Sequence, residues 1–139
     1  MKRAGAETMI MQYLRQLVKD DRFEFSILVH GYDKGAYDDE IATFGVPIYH
    51  VPARGMHPQT YTHEVKKVLK THPADIIHCN MDSACGDFLT IAKECGIEIR
   101  IAHSHLTHFQ ASTPIKILVA KKSKERIHEV ATIRLACSE

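Results

Sequence analysis

The sequence contains no apolar run that approaches a membrane span, and its opening M-K-R-A-G-A-E lacks the apolar core of a signal peptide. Both absences point to the cytoplasm. Cysteines in Cys-x-x-Cys spacing are missing as well. Cys79, Cys85, Cys95 and Cys137 are scattered, so four reduced thiols are expected in that compartment. Neither sign of charge dominates. A formal net charge of +1 leaves no electrostatic footprint for nucleic acid, which is not expected as a partner. Internal repeats and low-complexity linkers are also absent. What remains is a chain of 139 residues, 45% apolar and 25% charged, which suffices for one soluble domain with a real core.

Taken in order, the chain alternates short apolar runs with amphipathic stretches. Met9, Ile10, Tyr13, Leu14, Leu17 and Val18 recur at helical spacing, which predicts a first helix over Ala6 to Lys19. A buried strand is expected over Phe23 to His30, then a short helix from Ala36 to Phe44 capped by Gly45, and a strand from Val46 to Val51. Thr60 to Thr71 reads as a helix ended by His72-Pro73, and Asp75 to Cys79 as a strand. Asp82 or Ser83 is placed to cap a helix that runs to about Glu94 and closes at Gly96. The strand from Ile97 follows, then a loop over Leu106 to Ser112. Thr113-Pro114 opens a helix lasting to about Glu129, and Ala131 to Cys137 forms a last strand. Strands alternating with helices imply parallel pairing, hence an α/β class with a Rossmann-like, doubly wound parallel sheet.

In such sheets ligands bind at the carboxyl ends of the strands, and the polar residues of this chain gather there. I-E-I-R-I-A-H-S-H, from Ile97 to His105, breaks from β-branched residues into His103 and His105. Two apart on a strand, these point to one face; they can bond a sugar hydroxyl or a diphosphate oxygen, carry a proton, or serve as capping or buried structural groups. Asn80 and Asp82 follow the preceding strand and suit sugar hydroxyls, while Asp82 equally suits a helix N-cap. Gly5, just before the first helix, either admits a phosphate or sugar to free amides or makes a plain tight turn. His78 lies within the apolar D-I-I-H-C and is expected to be structural. H-S-H-L-T-H brings His103, His105 and His108 close in sequence, with His78 and Cys79 one strand away. No carboxylate or thiolate stands at zinc spacing, however, and ten histidines make chance clusters common, so no metal and no cofactor are expected. Lys116, Lys121, Lys122, Lys124 and Arg126 beside Ile115, Ile117, Leu118 and Val119 make a basic amphipathic helix after Thr113, suited to anionic lipid or to plain solvation.

Five blocks in order carry a resemblance: A-G-A-E-T-M-I-M at Ala4, G-A-Y-D-D-E-I at Gly35, D-I-I-H-C-N-M-D-S at Asp75, R-I-A-H-S-H at Arg100 and A-C-S-E at Ala136. Together they resemble the N-terminal domain of family 4 glycosyltransferases, the retaining GT-B group that builds capsular and exopolysaccharides. The resemblance implies a single acceptor-side domain over residues 1–139. It also implies a nucleotide-sugar donor, a glycan or lipid-linked acceptor, and a strand-end histidine touching the transferred sugar. Which residues are catalytic it leaves unassigned. The family begins with a strand before the glycine turn and carries a second, donor-binding domain. The chain therefore reads as truncated at both ends, its first strand missing, inactive alone and prone to self-association. Two other classes compete on the residues: a stand-alone α/β module for a phosphorylated small molecule, and a histidine-cluster metal hydrolase.

Overall fold

The computed structural model describes residues 5–55, 57–106 and 113–137. His108 and most of the expected 106–112 loop lie outside them. Among the described residues five α-helices and five strands alternate: α1 (Gly5–Leu17), β1 (Ile27–His30), α2 (Asp38–Thr43), β2 (Ile48–Val51), α3 (Pro58–Thr71), β3 (Ile76–Cys79), α4 (Cys85–Glu94), β4 (Ile99–Ser104), α5 (Pro114–Val130) and β5 (Ile133–Ala136). Every strand pair is parallel. The fold is the expected Rossmann-like α/β class. Its pairing is divided between two sheets, β1–β2 and β3–β4–β5, and the chain forms two compact units, 1–64 and 65–139.

In the first unit, the apolar stripe of α1 buries Met11 and Leu14 in one cluster with Ile41 and Val46. Arg15 of α1 donates two hydrogen bonds to the Glu40 carboxylate of α2, at 2.6 and 2.9 Å. The expected strand from Phe23 is shorter than predicted. Phe23 is 47% exposed, and pairing begins only at Ile27, opposite Ile48. Alternating aromatic residues promote a strand only where a neighbouring strand takes their backbone groups.

In the second unit α4 is the buried centre, with Cys85, Phe88, Leu89, Ile91 and Ala92 all enclosed. Gly86 lets α5 approach closely: a Cβ built there would lie 1.7 Å from the Ser123 carbonyl oxygen. Ser123 is fully buried at this crossing, and its hydroxyl accepts a hydrogen bond from the Asp87 amide at 3.2 Å. Gly96 ends the segment at φ +86, and Thr113 caps α5 through its hydroxyl, with Pro114 in the first turn. Lys116, Lys121, Lys122, Lys124 and Arg126 are exposed on α5, as are Ile115, Leu118 and Val119. Arg126 is paired with Asp87 at 2.6 Å. No helix among the described residues is long and apolar enough to cross a membrane.

Candidate functional site

The three strands of the second unit end together, because their registers align Cys79 with Ala102 and Ser104 with Ala136. The next residue of each chain segment therefore falls on one rim. Parallel pairing continues one step past β5, where the Cys137 amide bonds the Ser104 carbonyl at 3.1 Å. That step sets Cys137 beside His105. Its Sγ lies 3.2 Å from His105 Nδ1 and 3.4 Å from His103 Nε2. The two rings face each other, with centroids 4.3 Å apart. The same-face geometry expected of residues two apart is what the strand provides.

Each imidazole is oriented from behind. Asn80 donates its amide N–H to the His78 carbonyl at 3.3 Å, which turns its Oδ1 toward His105 Nε2 at 3.0 Å. A carbonyl oxygen only accepts, so His105 Nε2 is the donor, and in the neutral ring the lone pair falls on Nδ1. His103 Nδ1 meets His78 Nε2 at 3.0 Å. Burial lowers the pKa of His103, and the neighbouring His105 lowers it further, against a smaller opposing pull from Asp82. His78 is lowered for the same first reason, then by His103 and His105. His78 and His103 are thus both held toward their neutral forms, with lone pairs available.

Asp82 does not cap a helix. A single 3-10 turn, Asp82–Ala84, precedes α4, and the α4 N-cap is Ala84 with no side-chain cap bond. Asp82 instead sits at φ +49, a left-handed conformation that aspartate tolerates better than most residues. Its Oδ1 accepts the His105 amide at 2.6 Å and the Leu106 amide at 3.0 Å. Backbone donors just past the end of β4 take the carboxylate in place of the local cap. The result is a carboxylate that fixes where β4 hands over to His105.

Of the predicted site residues, Asn80, Asp82, His103 and His105 are thus brought together. Gly5 opens α1 in the other unit, where a Cβ would meet nothing within 4 Å. One reading is corrected. His78 is no core residue: alternation along β3 buries Ile77 and Cys79 and turns His78 to the opposite face, where its ring is part-buried against His103. His103 is only 9% exposed, whereas His105 is partly open. Sequence reasoning missed Cys137, which lies 34 positions from His103. The usable signal was its place just past the final strand, parallel to the one that carries His103.

Comparisons with known proteins add the following. No family model matches the chain. It is 32% identical over 145 residues to a Bacillus subtilis (strain 168) protein named "Putative glycosyltransferase EpsF", an alignment covering 100% of this chain and 37% of that protein. It is 25% identical over 134 residues to the Staphylococcus aureus capsular polysaccharide biosynthesis glycosyltransferase CapH, covering 96% of this chain and 33% of that protein. The chain thus spans about a third of the length of the curated relatives it matches. No solved structure matches.

Proposed function

We propose that this chain is the acceptor-side, Rossmann-like part of a retaining GT-B glycosyltransferase of family 4, acting at the cytoplasmic side in polysaccharide synthesis. The donor in this reading is a nucleotide-sugar and the acceptor a glycan or lipid-linked glycan. One observation carries it: similarity to two proteins named as glycosyltransferases runs along the whole chain, and the polar side chains of its second unit converge at the carboxyl ends of parallel strands. His105 is the group assigned to the sugar. It is the more accessible imidazole, and Asn80 and Asp82 hold its ring and its backbone. His103, buried behind it, is a positioning residue.

Deletion of the encoding gene tests this reading, with secreted and surface polysaccharide as the measurement. The expected result is loss of one polysaccharide, restored by the wild-type gene. A His105→Ala gene, at equal protein level, should leave sugar transfer at least about tenfold lower, about 1.4 kcal/mol of transition-state binding. Unchanged polysaccharide in the deletion strain overturns the proposal.

A further inference from the structure

Among the described residues, His103, His105 and Cys137 offer three ligand atoms within 4.8 Å of one another. We infer that they form a binding site for a borderline-soft divalent cation of the zinc class. The site shares His105 with the sugar-transfer reading, but its test reads metal binding alone, so the two can fail separately.

The distances support it first. Zinc bonds imidazole nitrogen at about 2.0–2.1 Å and thiolate at about 2.3 Å, so a tetrahedral ion sets nitrogen and sulfur about 3.5 Å apart. Cys137 Sγ stands 3.4 Å from His103 Nε2 and 3.2 Å from His105 Nδ1. Both nitrogen–sulfur distances already lie within a few tenths of an ångström of the tetrahedral value, and the third side of the triangle is no longer than 4.8 Å.

The surroundings support it second. A metal-bound histidine normally donates its other ring N–H to a fixed acceptor, which sets the tautomer and aims the lone pair. His105 does this through Asn80 Oδ1, and His103 has His78 Nε2 against its Nδ1. Both remaining lone pairs then face the same sulfur. Two nitrogens and a thiolate, with no carboxylate among the three, favour zinc over magnesium or calcium. Binding displaces the Cys137 thiol proton to solvent and forms one metal–sulfur and two metal–nitrogen bonds. Three protein ligands leave one tetrahedral position for water or a ligand oxygen.

Cobalt(II) chloride is the probe, titrated into the 139-residue chain under reducing conditions and followed by absorption. The expected result is one cobalt per chain, a near-ultraviolet thiolate-to-cobalt charge-transfer band, and loss of that band on adding zinc. Cys137 is exposed, so Cys137→Ser should keep the fold while abolishing the band. Asn80→Ala removes the acceptor that orients His105, along with the Asn80 bond to the His78 carbonyl, and should weaken binding about tenfold or more. The inference is overturned if equimolar cobalt does not bind, binds without the band, or keeps the band in Cys137→Ser. None of these results depends on sugar transfer.

Discussion

In the first unit, His30 ends β1 and His50 lies within β2. His30 Nε2 is 2.9 Å from the Tyr61 hydroxyl, and His50 Nδ1 donates to the Gly31 carbonyl at 2.8 Å. In the second unit, three imidazoles at equivalent strand ends are bonded to one another's neighbourhood instead. His78 reaches His103, while His103 and His105 share Cys137. Residue type is the same in the two units, and all of these rings lie at or near strand ends. What differs is the partners they meet. His30 and His50 each bond a separate partner, Tyr61 and Gly31. Imidazoles whose orienting bonds lie behind them present lone pairs to a common point, and that makes a candidate site.

The packing of the two units contrasts as sharply, and glycine substitutions separate them. Gly86→Ala places a methyl group 1.7 Å from the Ser123 carbonyl, so α4 and α5 must part. We expect a loss of about 3 kcal/mol or more, read from the denaturant midpoint. Gly5→Ala at the start of α1 meets nothing and adds helix propensity; it should be neutral or stabilising by up to about 1 kcal/mol. Equal effects of the two changes would mean that the α4–α5 crossing is not as close as described.

Acid sharpens the contrast by a smaller margin. His30, His78 and His103 all have lowered pKa values, each chiefly through burial. Their protonation is therefore disfavoured in the folded chain, and the unfolded chain takes up protons first as pH falls below the ordinary value of 6.5. Stability should be full above that value and fall as pH drops below it. Thermal melting at about pH 7.5 and about pH 5.5 brackets the window. His105→Asn should flatten the decline, because His105 adds to the depression of both His78 and His103. It should leave the share from His30 in place, since there the second cause is Arg54. A steeper decline in the variant would contradict the cluster.

Much of this architecture is legible in the residues, for local reasons. Gly45 and Gly96 close their helices at φ +70 and +86, and Thr113-Pro114 opens α5, because caps act over a few residues. Asn80, Asp82, His103 and His105 can be picked out because strand ends are visible as breaks in apolar runs. Three features are not legible in the same way. The division of the strands into two sheets, the recruitment of Asp82 by the His105 and Leu106 amides, and the arrival of Cys137 all depend on pairing between distant segments. His78 illustrates the same limit. Within D-I-I-H-C it looks enclosed, and only the pairing partner of β3 decides that Ile77 and Cys79 face the core while His78 faces the cluster.

Convergence of the second unit's histidines is the central claim, and side-chain NMR titration tests it most directly. The pKa values of His78, His103 and His30 would be measured in the wild-type chain and in His105→Asn. With the cluster as described, removing His105 raises His78 and His103 toward the ordinary 6.5 and leaves His30 where it was. If His78 and His103 titrate at the same pH in both proteins, the imidazoles do not meet and the account of the site fails.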